Sequence, residues 1–558
     1  MKWFPAALLV LALSACDTTG PAPAPADRDG EDKAGRMTIY TGGTIYTGLE
    51  DPKTVEAVLV NEAGRIVGTA PPLSQDWSEG EVALIDLDGA VMFPGFTDSH
   101  AHLLGIGQRE LSLDLTGTAS IEQLVARIEK EAEGLGDDAM IVGRGWIETG
   151  WPEGRMPTAA DLDTAIGDRI VILQRADGHA LVASSAALEA AGIGSDTPDV
   201  PGGKIERDAD GNATGIIIDA AMQPIWALVA KPSEEEIRRA YAEGANVYAS
   251  RGWTGLHNMS VPRDHAALMA DLDDQRKLPV RIYNAFNENG FDIASGRSFE
   301  TDTITNRAVK LYMDGALGSR GALLIEPYAD RPDTSGLALL EPDGLQRLMM
   351  KADEQEVQLA IHAIGDLANQ RILDTYEALG YGADKRWRVE HTQIVNPADI
   401  PRIAELGLIA SMQPSHAIGD LKFAPDRLGY DRLDGAYAWQ ALLDAGAVIA
   451  GGSDAPVEVG SPLIEFYAAV ARKDLDGEAG EGWHPEQALS REDALALFTS
   501  SAAFAAFQED TLGTIEAGKI ADFTVFDRDL MTVPEEEILL AKPVMTVVQG
   551  EIVWQASE

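Results

Sequence analysis

Eight short apolar runs rich in β-branched residues, separated by segments with helical periodicity, constrain the fold of this chain most. Intervening segments such as 234–251 and 343–356 have the spacing of amphipathic helices. Alternating strand and helix patterns indicate parallel β/α units, and eight such units predict an α/β fold of the (β/α)8 barrel type. The predicted barrel strands are 91–99, 255–258, 280–286, 308–313, 358–363, 387–391, 408–412 and 448–452.

Both ends of the chain carry a different pattern, in which short alternating runs are separated by glycine. Residues 37–92 and 513–558 therefore predict strands and tight turns. We expect the two ends to form one discontinuous small β-sandwich domain beside the barrel region, 93–512. A long gap separates the first and second barrel strands, and residues 104–245 within it are predicted to be an inserted subdomain over the barrel mouth.

The composition excludes some classes of partner. The formal net charge is −46 over 558 residues and is spread along the chain, so its surface repels nucleic acid and anionic membranes. Apolar residues make up 45% of the chain, which is typical of a globular enzyme. We therefore expect a small-molecule substrate and no nucleic-acid partner.

The first residues indicate export. Lys2 is followed by an apolar run that ends in Leu-Ser-Ala-Cys at 13–16, and this run is too short for a permanent membrane helix. The sequence around Cys16, the only cysteine, resembles a bacterial lipobox, so residues 1–16 are predicted to be a lipoprotein signal and 17–36 a disordered tether. We expect a protein held in the cell envelope by this lipid alone and facing the periplasm, at the inner or the outer membrane. A plain secretory signal is the alternative.

Metal-capable residues lie at the C-terminal ends of the predicted barrel strands. His100 and His102 alternate at the end of the first run, so both imidazoles face one side and suit a single ion. Groups from different strand ends converge at the active-site face of such barrels. Of four further candidates, Lys310 lies within the fourth predicted strand, His362 and His391 close the fifth and sixth, and Asp454 follows the eighth. The six together predict a metal centre.

The motifs around these residues resemble those of a known family. In chain order they are PGFTDSHAH, VKLYMDGALGSR, LAIHAIGD, RVEHTQ, SMQPSH and GGSDAPV. They resemble the amidohydrolase superfamily, and within it the amidohydrolase 3 branch with enzymes like N-substituted formamide deformylase. The resemblance runs from about residue 37 to the C-terminus. It implies a metal-dependent hydrolase of carbon–nitrogen bonds other than peptide bonds, with a barrel and a small β-sandwich.

The resemblance also implies how the metal is held. The expected ligands are His100, His102 and Asp454 for one ion and His362 and His391 for the other, with carboxylated Lys310 as the bridge. A lysine ammonium would repel cations, whereas a carbamate supplies two anionic oxygens. Two zinc ions are the expected cofactor. Manganese or iron stays open, as does a single ion beside an unmodified lysine.

The expected chemistry is metal-assisted hydrolysis of a small amide, formamide or related substrate. The metal would generate hydroxide from water at neutral pH and polarise the scissile carbonyl. Asp454 would pass the water proton to the leaving amine, and His416 would orient the substrate or stabilise the oxyanion. Hydrolysis of an ester, lactone or cyclic amide stays open, as does a solute-binding lipoprotein without catalysis. A homodimer is one option for the oligomeric state.

Other residues are predicted to support the site or line its pocket. Asp98 is expected to hold a histidine tautomer by a hydrogen bond. His257 is expected to end the second strand and face the barrel mouth, and Arg320 to hold a substrate carboxylate. The predicted substrate-binding residues are Arg144, Trp146, His179, His257 and Arg320.

Overall fold

A computed structural model describes most of the chain. It covers residues 37–70, 82–136, 139–148, 150–175, 180–200, 203–229, 231–480 and 483–557. The predicted signal, Cys16, the tether and His179 lie outside these ranges. Within them, no helix combines the length and the apolar character needed to cross a membrane.

The strands of the described chain are numbered in chain order. They are β1 (Met37–Tyr46), β2 (Thr54–Val60), β3 (Ile66–Ala70), β4 (Val82–Asp86), β5 (Val91–Pro94), β6 (Phe96–Ala101), β7 (Leu113–Asp114), β8 (Ile141–Trp146), β9 (Val171–Arg175), β10 (Ala180–Ala183), β11 (Gly203–Arg207), β12 (Ala213–Asp219), β13 (Trp253–Val261), β14 (Arg281–Phe286), β15 (Ile304–Tyr312), β16 (Gln358–Ala363), β17 (Arg388–His391), β18 (Ile409–Met412), β19 (Val448–Gly451), β20 (Phe523–Phe526), β21 (Pro543–Val548) and β22 (Glu551–Gln555).

The α-helices are numbered in the same way. They are α1 (Leu103–Glu110), α2 (Ile121–Glu133), α3 (Ala159–Ile166), α4 (Ser185–Ala190), α5 (Gln223–Trp226), α6 (Glu234–Arg251), α7 (His265–Asp274), α8 (Phe291–Gly296), α9 (Pro342–Glu354), α10 (Asp366–Leu379), α11 (Ile400–Leu406), α12 (Pro414–Asp420), α13 (Ala424–Leu428), α14 (Trp439–Asp444), α15 (Pro462–Ala471), α16 (Arg491–Leu497), α17 (Ser500–Ala505) and α18 (Glu535–Ile538).

The central sheet is an eight-stranded, nearly closed barrel, which confirms the predicted fold class. Its order is β19-β18-β17-β16-β15-β14-β13-β6, and all neighbours are parallel. From β13 to β19, at least one helix lies between each barrel strand and the next. Backbone hydrogen bonds join the two ends of the ladder, because the amide of Asp454 donates to the carbonyl of His100 (2.6 Å) and that of His102 to the carbonyl of Ala455 (2.8 Å).

The prediction of one strand over 91–99 was wrong, because this run contains two strands in different sheets. β5 pairs with β1 and β20, and after Gly95 the chain enters the barrel as β6 beside β13. A Cβ atom at Gly95 would lie 2.4 Å from Oγ1 of Thr254, so a larger residue does not fit this crossing. The other seven predicted barrel strands each overlap an observed one.

The two chain ends meet in a second eight-stranded sheet. Its order is β22-β21-β20-β5-β1-β2-β3, with β4 paired to β1. The last strands of the chain therefore add to the first ones through the antiparallel pair of β5 and β20. Alternate side chains from both ends form a common apolar core that includes Tyr40, Ile45, Met92, Phe523 and Val547.

The segment Leu104–Gly244 is a compact unit of its own. Its mixed sheet has the order β11-β12-β10-β9-β8-β7, and its apolar cores lie between this sheet and its own helices. Helix α2 shows how the sequence sets such an element: the Ser120 side chain caps its N-terminus by accepting from the amide of Gln123, and Leu124 and Ile128 are buried one turn apart. Its predicted position over the barrel mouth stays a prediction.

Candidate metal centre

The loop after β19 brings Asp454 to the histidines at the end of β6. Gly452 packs directly on His100, since a Cβ atom there would lie 2.4 Å from the amide nitrogen of His100. Asp454 itself has a φ of +58°, a left-handed conformation that is uncommon for residues other than glycine. Its Oδ1 atom lies 3.0 Å from Nε2 of His102 and 3.5 Å from Nε2 of His100. These three side chains form the first part of the cluster.

The neighbouring strands complete it. Nζ of Lys310, on β15, lies 3.4 Å from Nε2 of His100. The ring centroid of His391, at the end of β17, lies 4.7 Å from that of His100 and 4.5 Å from that of His362, on β16. One ligand atom from each of His100, His391 and Asp454 can be chosen so that all three lie within 4.8 Å of one another. The structure thus brings all six predicted ligands together, and their role as ligands stays a prediction.

The donor atoms of this cluster suit a divalent cation. Nε2 of His362 is buried and has no hydrogen-bond partner among the residues that the structure describes, although Oδ1 of Asp314 lies 3.3 Å away. Nε2 of His100 lies 3.5 Å from Oδ1 of Asp454 and 3.4 Å from Nζ of Lys310. Imidazole nitrogens around a carboxylate are the ligand set that zinc prefers. The residues present therefore fit the metal that the sequence predicts.

Burial sets the protonation of the cluster. It lowers the pKa of His100 to about 3 and that of His391 well below its usual value, so both imidazoles are neutral and offer a lone pair. Burial also lowers the pKa of Lys310 to about 8. The pKa of Asp454 lies well below its ordinary value, because the surrounding histidines outweigh the opposing effect of burial.

Glu390 and Arg388 form a buried ion pair beneath the cluster that the sequence reasoning missed. Oε2 of Glu390 lies 2.5 Å from Nδ1 of His100, and Nε of Arg388 lies 2.7 Å from Oε1 of Glu390. Both side chains are fully buried. Burial would raise the pKa of Glu390, but Arg388 and His100 hold it below its normal range. The sequence feature that could have revealed this pair is two opposite charges, Arg388 and Glu390, which lie two residues apart in a strand predicted to be buried.

Asp98 does not hold a histidine tautomer, so that prediction was wrong. Oδ1 of Asp98 accepts from the backbone amides of His100 and Ser453, and Oδ2 accepts from the hydroxyls of Ser453 and Tyr248. This carboxylate therefore ties the backbone of β6 to that of the loop that carries Asp454. Glu390 makes the contact with an imidazole that was expected of Asp98.

The expectation for His257 was also wrong. β13 continues past it to Val261, and His257 is buried in the barrel wall instead of facing the mouth. Its Nδ1 atom accepts from the Arg388 guanidinium at 2.6 Å, and its ring packs against Tyr283. His257 therefore lies with the buried pair of Arg388 and Glu390 beneath the cluster.

His416 lies beside the cluster, in helix α12. Nδ1 of His416 accepts from Nε2 of Gln393 at 3.0 Å, so the proton of the neutral imidazole is on Nε2. That Nε2 atom is buried, has no hydrogen-bond partner within the described ranges, and lies 3.7 Å from Oδ2 of Asp454. His416 thus offers an unused donor directly beside Asp454.

Two further predicted pocket residues, Arg144 and Trp146, belong to the 104–244 unit. Trp146 is fully buried within the 104–244 unit, where it packs against Trp151 and donates to the carbonyl of Leu173. It belongs to the apolar core of that unit, as expected for an inward-facing residue of β8. Arg144, on the same strand, is partly buried in that unit. Its substrate role, like that of His179 outside the described ranges, stays a prediction.

Arg320 lies in the loop between β15 and α9. It forms an ion pair with Asp330, with 2.6 Å between Nη2 and Oδ2. Its guanidinium therefore already binds a carboxylate of this chain. Nothing in the structure assigns it to a substrate carboxylate.

Comparison with known proteins places the chain in a family. Residues 83–554 match the sequence profile of the Amidohydrolase family. Putative amidohydrolase YtcJ of Bacillus subtilis (strain 168) is 35% identical over 93% of this chain and 99% of its own length. N-substituted formamide deformylase of Arthrobacter pascens is 28% identical over 90% of this chain and 95% of its own.

A solved structure extends the likeness to the fold. The crystal structure of an uncharacterised metal-dependent hydrolase from Pyrococcus furiosus superposes with a TM-score of 0.72 at 28% identity, covering 89% of this chain and all of that one. The profile match spans most of the chain, and the Bacillus relative is covered almost completely. This chain therefore belongs to the Amidohydrolase family.

Proposed function

We propose that the protein is a metal-dependent amidohydrolase that cleaves the C–N bond of a small amide, formamide or related substrate. The observation that carries this proposal is the meeting of six metal-capable residues from five strand ends in one buried cluster. The family, and the likeness to an enzyme named N-substituted formamide deformylase, support a C–N bond as the target. An ester, a lactone or a cyclic amide is the alternative on the same site.

The proposed cofactor is two zinc ions, which carboxylated Lys310 would help to hold together with the histidines and Asp454. When bound, such ions supply Lewis acidity, which activates water and polarises the scissile carbonyl. The lowered pKa of Lys310, about 8, supports carboxylation, because only the neutral amine attacks carbon dioxide. The carbamate would turn a repelling ammonium into an anionic ligand.

Asp454 is the proposed proton carrier of the reaction. Its carboxylate lies between His102 and His416, at 3.0 and 3.7 Å from their Nε2 atoms. It accepts a proton from the attacking water and delivers it to the leaving nitrogen. The Nε2–H group of His416, which has no partner within the described chain, donates to the oxyanion that forms on the substrate.

We also propose a cellular location from the N-terminal sequence. Lipidation of Cys16 would anchor the protein in the bacterial envelope, facing the periplasm, and the small substrate would be its partner there. Mass spectrometry of the membrane fraction tests this, since the mature N-terminus would be an acylated Cys16. A Cys16→Ser variant recovered in the same fraction in equal amount would contradict it.

A metal-reconstituted activity screen tests the function. Chelator-treated protein is loaded with zinc, manganese or iron and assayed on formamides, N-acyl amines, N-acyl amino acids, cyclic ureides and esters. Turnover of a C–N substrate that depends on metal is expected, and His100→Ala is the matched inactive control. Turnover of esters alone would mean that the site cleaves the alternative bond type and not a C–N bond. Absence of both metal binding and turnover would favour a solute-binding lipoprotein.

A further inference from the structure

The candidate metal-binding histidines differ in the group that accepts a hydrogen bond from their Nδ1 atom. Three of them use Nδ1 for a contact inside the barrel: His100 with Oε2 of Glu390 at 2.5 Å, His102 with the carbonyl of Met259 at 3.1 Å, and His391 with Oε1 of Gln413 at 2.8 Å. In each case an acceptor on Nδ1 fixes the proton there and leaves Nε2 for a metal. Of these three acceptors, only Glu390 is an anion.

Glu390 has two buried partners, Arg388 and His100. Arg388 approaches both of its oxygens, at 2.7 and 3.2 Å. The same guanidinium donates to the carbonyl of Ser99, at 2.5 Å, and to the hydroxyl of Ser411, at 2.8 Å. His257 accepts from the remaining nitrogen at 2.6 Å. Both terminal nitrogens of Arg388 are therefore hydrogen-bonded, and its guanidinium forms an ion pair with Glu390 that keeps this carboxylate charged beside His100.

This arrangement affects His100 in two ways. A carboxylate on Nδ1–H increases the electron density at Nε2 more than a neutral carbonyl does, which makes His100 the stronger metal ligand. The bond from Arg388 to the carbonyl of Ser99 also fixes the backbone directly before His100. Orientation and basicity of one imidazole therefore depend on the same buried pair.

We propose that Glu390, fixed by Arg388, is a positioning residue that aims Nε2 of His100 at one metal ion and strengthens the binding of that ion. The proposal rests on the metal dependence in the proposed function and not on the bond that is cleaved. Glu390 acts through His100 and does not touch the substrate. Its effect is specific to the ion that His100 holds.

A zinc titration of the full chain against a competing chelator tests the proposal. His102→Ala identifies the binding step of the ion that His100 shares, because it removes a ligand of the same ion. In Glu390→Gln this step is expected to weaken about 10- to 100-fold, while any other step stays within about twofold of wild type. The matched control is Glu465→Gln, at another fully buried glutamate whose carboxylate accepts from the amide of Ser415. It should leave every step unchanged.

Two results would overturn the proposal: wild-type affinity at that step in Glu390→Gln, or equal weakening of all steps. If Glu390→Gln does not fold, a crystal structure of the zinc-loaded wild type decides instead. It should show zinc on Nε2 of His100 and the Glu390 contact kept on Nδ1, and zinc on Nδ1 would overturn the proposal. The titration contains no substrate, so a failed activity screen would overturn the proposed bond specificity and leave this result intact.

Discussion

Glu390 and His391 are adjacent in the chain, yet both side chains reach the imidazole of His100. Glu390 lies 2.5 Å from Nδ1 of that imidazole, and the ring of His391 lies 4.7 Å from it between centroids. Neighbours on a regular strand point to opposite faces. The φ of His391 is +76°, so the strand turns at its last residue and both side chains face the barrel interior. Such a conformation costs about 1–3 kcal/mol and persists only where surrounding contacts impose it.

The first prediction concerns Asp454. Asp454→Asn is expected to retain bound metal through the remaining ligands, while turnover falls by a factor on the order of 10³, because the amide cannot accept the water proton. Metal content by mass spectrometry and steady-state kinetics measure the two quantities separately. Asp330→Asn, in the loop between β15 and α9, is the control and should retain turnover. An active Asp454→Asn enzyme would remove the proton-carrier role.

The second prediction concerns Lys310 and bicarbonate. With a pKa of about 8, Lys310 is neutral in roughly a tenth of the protein molecules at pH 7. This neutral fraction grows as the pH rises through 8. Zinc loading of the metal-free protein should therefore be promoted by bicarbonate, and more strongly at pH 8.5 than at pH 6.5. Lys310→Met should take up less zinc and ignore bicarbonate. Equal bicarbonate dependence in the variant would contradict carboxylation at this position.

The third prediction concerns the stability of the buried pair. Arg388→Met leaves the Glu390 carboxylate charged and without its partner in a fully buried place, and loss of one partner of such a pair costs about 3–5 kcal/mol. Chemical denaturation of the metal-free protein measures this loss. The control is Arg263→Met, since Arg263 forms an exposed ion pair with Asp292 and should change stability little. Equal effects of the two changes would contradict the account of the buried pair.

Much of the barrel could be predicted because its signals are local. Each barrel strand is a short apolar run, and each proposed ligand lies near the end of such a run or directly after it. The Pro94-Gly95 break is visible in the sequence, but the run 91–99 was still assigned whole to the barrel, because the change of sheet at Gly95 depends on partners far along the chain such as Thr254. Hydrophobic periodicity predicts that a residue is buried, but it does not predict which residues surround it. Trp146 was for this reason assigned to a pocket, although it packs inside the 104–244 unit.

The residues that orient the candidate ligands could not be predicted either, because their contacts join residues that are far apart in the chain. His100 and Glu390 are 290 residues apart in the chain, and only the closed barrel brings them into contact. Asp98, two residues from His100, was the nearer candidate and proved to bind backbone amides instead. Residue types and strand ends thus predicted which groups meet, while the partners that orient them required coordinates.

The last prediction is a pH dependence of stability that arises at Glu465, on α15. Its carboxyl group is fully buried and accepts from the amide of Ser415, and its Oε1 atom has no partner in the part of the chain that the structure describes. Burial raises the pKa of Glu465 well above its usual value. The unfolded chain releases this proton near pH 4.5, whereas the folded chain keeps it. The contribution of Glu465 to stability is therefore fully present at lower pH and is lost as the pH rises toward the folded pKa.

Glu465→Gln keeps the shape of the neutral carboxyl group and cannot ionise. Its melting temperature should approach or exceed that of the wild type as the pH rises from 5 to 9, so that the difference between the two proteins changes steadily with pH. Differential scanning calorimetry across this range measures it. Glu354→Gln, at an exposed position of α9, is the control, and its difference from wild type should stay constant. Parallel curves for Glu465→Gln and the wild type would mean that Glu465 ionises normally in the folded protein.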